Sequence, residues 1–328
     1  MAGKKFYWLK LKPKEYLYDK YAKDVIGDIK IANVKYSTLK ALYDVLLNTK
    51  LSYGTLKILH NALHSAFELA VADDVLLKNP ANNLLKEMRN SHNTKTEKRV
   101  AMNQQEQDAF LKYARESVVY SNYVPLFIIL LGTGMRAGEC FALTWRDIDF
   151  DNECIYVNKT LTYKMRESGK AEFHIAKTKT QAGTRTIPML KAVKSAFLEE
   201  KKKQFINGKC ETIVDGYSDF VFSNSRNHVH KPNTINRVID NIIKGHNEKE
   251  EKLAVKEKRE PFLIRHFSVH NFRHTFATNY CQHETNLKTI QEIMGHSNIS
   301  ITMNVYAEAT EEKKTESFKN LDDKIKLG

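Results

Sequence analysis

From Asn90 to Lys98 the chain reads NSHNTKTEK, a polar stretch without apolar periodicity set between two long regions that each carry hydrophobic patterning. Such a stretch has nothing to bury and reads as a solvated linker. It obliges the chain to build two cores, and residues 94–100 are taken as the linker between a domain over 1–93 and a second over 101–328. The length of 328 residues agrees, since one domain usually takes roughly 100 to 200 residues.

The first domain reads as helical. After Ser52 to Gly54, which supply a loop and a helix start, Leu56, Leu59, Leu63, Phe67 and Ala70 recur at three-to-four spacing. Lys57, His60, Asn61 and His64 fall on the opposite, polar face, which in such a stripe is ordinarily a solvated one. The pattern is expected to stop at Asn79-Pro80, because proline disfavours helix in the residue before it.

The second domain opens on a helix capped by Asn103, with Glu106 at capping-box spacing and Phe110 and Leu111 beyond. CIYVN from Cys154, the stretch around Tyr163 and EFHIAKTKTQAGTRTIPM alternate apolar and polar residues, which predicts a small antiparallel sheet. Gln181-Ala182-Gly183 fits a three-residue hairpin turn closed by Thr180 and Thr184, with Lys179 beside its tip on the strand face of Lys177. The rest reads as helical, so the expected class is mainly α with a small antiparallel β-sheet (α+β).

Several polar residues in that helical part stand out. His270, Arg273 and His274 lie on neighbouring parts of one helical face, while Phe272, Phe276 and Tyr280 form another. A cationic cluster so tight needs an anion nearby. The next helix, Leu287 to Met294, is capped by Asn286 and stopped by Gly295, which places His296 just past its end, and Tyr306 follows in ITMNVYAEAT. Arg136 comes after a Gly-Thr-Gly turn at a helix start, with Glu139 three residues on.

Charge narrows the partners. There are 52 Lys plus Arg against 39 Asp plus Glu, a formal net charge of +13. The excess is shared, with 15 basic against 9 acidic residues up to residue 93 and 37 against 30 after it. Both parts can face one polyanion. The longest uncharged apolar run, Val124 to Leu131, is eight residues, far short of the roughly 20 a spanning helix needs. Met1 to Lys10 has no apolar signal-peptide core. A cytoplasmic protein without a membrane partner is expected. Cys140, Cys154, Cys210 and Cys281 form no CxxC pair and read as reduced bystanders.

Taken in order, GTGMRAGE around Arg136, KTQAGTRTIP from Lys179, HNFRHTFAT from His270, IMGHSNISITMNVYAE around His296 and Tyr306, and ELAVADDVLLKNP closing the first domain resemble the tyrosine recombinase (phage integrase) family, most of all integrases of conjugative transposons. The resemblance runs from about Tyr16 to the tail. It implies a two-domain DNA clamp, in which a helical core-binding domain reads the major groove and a tyrosine-recombinase catalytic domain does the chemistry. It also implies that Arg136 and Arg273 grip the scissile phosphate, His270 and His296 assist, Lys179 is the general acid and Tyr306 the nucleophile. Lys177 is the alternative acid, less favoured because its distance to the Arg-x-Ile-Pro stretch fits the pattern less well, and Glu139 is a supporting residue. The implied product is a 3′-phosphotyrosine with a free 5′ hydroxyl, made without metal, ATP or other cofactor.

The implied partners are double-stranded DNA core sites, three further copies in a tetramer that passes through a Holliday junction, and accessory excision or DNA-bending proteins. The tail after Tyr306, charged and amphipathic, is expected to pack on a neighbouring protomer. The chain opens almost directly on core-binding helices, so the expectation is either that the arm-site domain such integrases commonly carry has been removed or that this is a two-domain member. NEKEEKLAVKEKRE reads as a solvated helical face with no assigned function.

Other readings explain less. A metal-dependent nuclease built on His266, His270 and His274 lacks an accompanying carboxylate, and Arg273 would repel the cation. A type IB topoisomerase shares the chemistry but needs no separate sequence-reading domain of this kind. A non-catalytic DNA-binding regulator has no need of Tyr306.

Overall fold

In a computed structural model the chain divides into two compact units, Met1–Lys98 and Arg99–Gly328. The structure describes residues 12–49, 51–92, 100–165, 171–178, 181–224 and 226–309. Lys179, most of the linker 94–100 and the tail from Thr310 lie outside the described residues.

The first unit is helical among its described residues: α1 (Lys12–Tyr21), α2 (Lys23–Ile26), α3 (Tyr36–Asn48), α4 (Tyr53–Ala72) and α5 (Leu84–Ser91). Leu56, Leu59, Leu63 and Phe67 of α4 meet Leu39, Leu42, Tyr43 and Leu46 of α3, together with Leu84 and Met88 of α5, in one buried cluster. The Ser52 hydroxyl accepts the Thr55 backbone N–H at 3.2 Å and starts α4.

Two expectations fail here. The helix ends at Ala72, short of Asn79-Pro80, and Asp74 takes a left-handed conformation in the turn that follows. Short-range hydrogen bonds shape the polar segment beyond, where the Asn79 carboxamide donates to Glu68 and accepts the Ala81 backbone N–H. His60 is also not part of a solvated face. It is buried, its Nδ1 lies 3.2 Å from the Tyr43 hydroxyl, and burial, followed by His64, lowers its pKa to about 4.

The second unit carries α6 (Gln104–Glu116), α7 (Val124–Thr133) and α8 (Ala137–Phe141), then β1 (Ile148–Asp149), β2 (Cys154–Val157), β3 (Lys159–Met165), β4 (Ala171–Lys177) and β5 (Arg185–Pro188). It closes with α9 (Lys191–Asn207), α10 (Pro232–Glu257), α11 (Val269–His283), α12 (Leu287–Met294) and α13 (Ile299–Ala309). α7 is apolar on nearly every side because it runs through the middle of the core. There Phe127 packs with Phe110 and Phe272 at ring separations of 5.0 and 5.4 Å. A separate small cluster of Ala277, Cys281, Ile290 and Met294, flanked by Phe276, Val305 and Tyr306, joins α11, α12 and α13. Among the described residues no helix is long and apolar enough to cross a membrane.

The strands form two small antiparallel sheets, ordered β1-β2-β5 and β3-β4. Their registers correct the hairpin expected at Gln181-Ala182-Gly183. β4 and β5 do not pair with each other: Lys177 stands opposite Lys159, and Arg185 opposite Val157. The two strands therefore lie end to end along one line, β2 followed by β3, and the segment 178–184 departs from that line opposite Asn158 alone. Gln181–Gly183 is a short 3-10 turn, and Gly183 is not among the left-handed glycines. The hydroxyls of Thr178 and Thr184, 2.7 Å apart, face each other where the segment leaves and returns. Alternation identified strands here but carried no information about which strand each one joins.

Candidate active site

Arg136 follows the left-handed Gly134 that ends α7, and sits at the cap position of α8. Its backbone N–H donates to Glu139 Oε2 at 2.9 Å and its Nη1 to Glu139 Oε1 at 2.7 Å. Arg185 on β5 donates through Nη2 to Glu139 Oε2 at 2.8 Å. Glu139 and Arg185 are buried, with side chains 4% and 5% exposed, whereas Arg136 is 44% exposed and reaches solvent. Burial alone would raise the Glu139 carboxyl, but the hydrogen bond and charge of Arg185, followed by the contacts of Arg136, hold it below the ordinary carboxylate range.

Arg273 projects from α11 and is buried. Its Nη1 donates to the Gly134 carbonyl at 2.7 Å and its Nη2 to the Met294 carbonyl. Arg136 Nη2 donates to the Gly295 carbonyl at 3.2 Å, and Arg185 Nε to the Ile293 carbonyl at 2.7 Å. Three guanidiniums from three separate elements thus converge on three consecutive carbonyls, Ile293, Met294 and Gly295, at the carboxyl end of α12. That end of a helix carries partial negative charge and carbonyls without helical partners. Burial first, then the charge of Arg136, brings the Arg273 pKa down to about 9, with Glu139 opposing and Arg185 adding to the fall. Arg273 is still cationic at neutral pH, in a site that holds more positive charge than Glu139 balances.

Gly134 and Gly295 are two points where only glycine fits. Both have φ of +61°, and a Cβ on Gly134 would stand 2.3 Å from the Phe276 ring, while one on Gly295 would stand 2.9 Å from Arg185 Nη1. The turn at Gly295 delivers His296, which is buried, with Nδ1 3.0 Å from the Thr302 hydroxyl. Gln291 holds the same residue from both sides, its carbonyl accepting the His296 N–H and its carboxamide donating to the His296 carbonyl. Burial, then the charges of Arg273 and Arg136, lowers the His296 pKa to about 4, so the imidazole is neutral at pH 7.

Tyr306 is half-buried on α13, one turn after Thr302 and on the same helical face. His270 is exposed in the first turn of α11, one turn before Arg273. His274 lies half-buried beside it. Lys179 lies outside the described residues, while Lys177 is exposed at the end of β4. His266 contacts Asp240 at 3.1 Å, and among the described residues no group of three or more His, Cys, Asp or Glu side chains is placed to hold a metal ion. Arg136, Arg273 and His296 therefore meet at the carboxyl end of α12, and Tyr306 packs against the small cluster that contains Met294.

Sequence reasoning passed over Arg185 and Thr302. Arg185 lies within a quoted motif, but a charged residue in an alternating strand reads as outward-facing, and only the end-to-end strands turn it toward Glu139. Thr302 gave no signal apart from its helical spacing to Tyr306.

Residues 100–313 match the phage integrase family. The chain is 31% identical to the transposase from transposon Tn916 of Enterococcus faecalis over 311 residues, 94% of this chain and 71% of that protein. It is 28% identical to a tyrosine recombinase XerC-like protein of Caldanaerobacter subterraneus, over 93% of this chain and 76% of that one. Among solved structures it resembles the Tn1549 transposon integrase in complex with a circular intermediate DNA, with a TM-score of 0.82 and 30% identity over 97% of this chain and 95% of that one.

Proposed function

We infer, because this chain belongs to the phage integrase family, that it is a tyrosine recombinase of the conjugative-transposon kind, which cuts and rejoins DNA strands to integrate and excise a mobile element. The observation that carries the site assignment is the gathering of Arg136, Arg185 and Arg273 on the carboxyl end of α12, with one carboxylate among them.

In this reading the surplus charge is the seat of a phosphodiester. A pentavalent phosphorus places negative charge on its non-bridging oxygens, and guanidiniums fixed by buried carbonyls offer paired donors without reorganising. Arg136, half in solvent, and Arg273, behind it, grip those oxygens. Tyr306 Oη attacks phosphorus and forms the O–P bond as its proton passes to an imidazole of the His270–His296 pair. Tyrosine, with an ordinary pKa of about 10, needs such a base and a positive field. The P–O5′ bond breaks with its electron pair on O5′, which takes a proton from Lys179. The 3′-phosphotyrosine keeps the phosphodiester's energy, and the reverse attack by another 5′ hydroxyl rejoins strands through a Holliday junction. His296, neutral and held by Thr302 at Nδ1, keeps Nε2 for the reacting groups.

The two units act as a clamp on duplex DNA, with the helical first unit reading the major groove. Exchange between two duplexes requires four protomers, and the reaction runs in the cytoplasm. The Tn1549 relative, solved in complex with a circular intermediate DNA, supports DNA as the partner.

The test is a nicked suicide DNA substrate incubated with the protein in EDTA. A covalent protein–DNA adduct should form, and Tyr306→Phe should abolish it. An adduct that survives the substitution rejects Tyr306 as nucleophile.

A further inference from the structure

Arg185 contacts three of the segments that the reaction needs. Nη2 donates to Glu139, which also holds Arg136, Nε donates to the Ile293 carbonyl ahead of His296, and Nη1 donates to the Gly183 carbonyl at 3.3 Å. The third contact lies on the segment that carries Lys179. Ala182 of the same segment packs on Gly295, since a Cβ on Gly295 would stand 3.0 Å from the Ala182 carbonyl oxygen. Its Nε, Nη1 and Nη2 are each already engaged by a partner within the protein.

A segment that leaves the sheet opposite a single residue gets no position from the strand ladder. Its position comes from what holds it at its ends and base. Among the described residues those holds are the Thr178–Thr184 hydroxyl pair and the Arg185 guanidinium. A lysine cannot substitute for that guanidinium, because the three contacts leave one planar fork in three directions.

We propose that Arg185 is a positioning residue for the general acid: it fixes Ala182 and Gly183, which follow Lys179 in the chain, against the end of α12, so that the proton is delivered at the phosphate held by Arg136 and Arg273. The proposal rests on the recombinase reading and on Lys179 as the acid. It separates acid delivery from phosphate gripping, two roles that a simple loss of activity would merge.

A sulfur atom in place of the bridging 5′ oxygen tells them apart. A thiolate leaves without being protonated, so a defect confined to the acid disappears on that substrate. Arg185→Lys should slow adduct formation about 100-fold on ordinary DNA, the cost of a misplaced catalytic group, and should cleave the sulfur substrate close to the rate of the unsubstituted protein. Cleavage of the sulfur substrate also shows that the variant is folded. Arg136→Lys should stay slow on both substrates.

Thr178→Val, which loosens the same segment from its exposed end, should give a smaller loss, again relieved by sulfur. If Arg185→Lys is equally slow on both substrates, or unaffected on both, or if Thr178→Val is slowed without relief, Arg185 does not position the acid. Lys179→Ala is the control: without relief by sulfur in that variant the assignment of the acid itself fails, independently of Arg185.

Discussion

Glu106 and Glu139 occupy the same position in their helices, three residues past the cap, and each accepts the backbone N–H of its cap residue at 2.9 Å. Each side chain is 4% exposed, and each takes guanidinium hydrogen bonds from a distant strand or loop as well. For both, burial would raise the carboxyl, and arginine contacts outweigh it. The difference lies in the charge count. Glu106 meets Arg265 alone, through two donors at 2.6 and 2.7 Å, and the pair is neutral. Glu139 meets Arg136 and Arg185 beside Arg273, and leaves two positive charges over. One arrangement ties a loop to a helix start, and the other keeps unspent attraction for an anion. An acid–arginine contact is therefore uninformative on its own, and the surplus around it is what points to a ligand.

The contrast makes its largest demand on Arg273. Arg273→Lys keeps the charge and loses the fork, and adduct formation should fall by about 10²–10³-fold, the usual cost of one donor to a transition-state oxyanion. The same exchange at Arg265 should leave the cleavage rate of the folded protein unchanged. An equal effect at both positions, in single-turnover cleavage, would erase the distinction.

Next in size, Arg265→Gln strips a buried carboxylate of its cation and should lower stability by about 1–3 kcal/mol, read as a fall in Tm. Duplex DNA should raise the Tm of the variant and of the unsubstituted protein alike and leave that deficit unchanged. The anion-hungry site should be stabilised by duplex DNA, in proportion to affinity.

The smallest effect concerns pH. His296 is depressed to about 4 in the folded chain against an ordinary 6.5. The unfolded chain therefore binds a proton that the folded chain refuses. This group's contribution to stability is complete above pH 6.5 and is lost as pH falls toward 4. His296→Gln should flatten the pH dependence of unfolding in that window by up to one proton, with His60 and His230 keeping their share. Bound DNA should flatten it too, because a phosphate favours the imidazolium. An unchanged slope would show that His296 titrates normally.

What could be read from the residues follows the range of the forces involved. Asn103 with Glu106 and Asn286 with Gly295 marked their helices because caps act within one turn. The arginines, histidines and tyrosine could be picked out by motif. Who holds them could not, since the end of α12 accepts from residues over 100 positions away in Arg136 and Arg185. His60 went astray for a related reason. Its place on the helix was read correctly, but α3 lies against that side as well and Tyr43 reaches it. The strands likewise gave their alternation but not their partners, so β4 and β5 were joined to each other when both belong to the β2–β3 line.

That end-to-end arrangement has a consequence for how such a protein can diverge. A hairpin that gains one residue shifts a register and turns side chains to the wrong face. The excursion between Thr178 and Thr184 begins and ends beside Asn158, so residues can be inserted or deleted there while Lys177 and Arg185 keep their partners. The length of that excursion and the integrity of the sheet are separately heritable traits. Lineages can alter the first without risking the second.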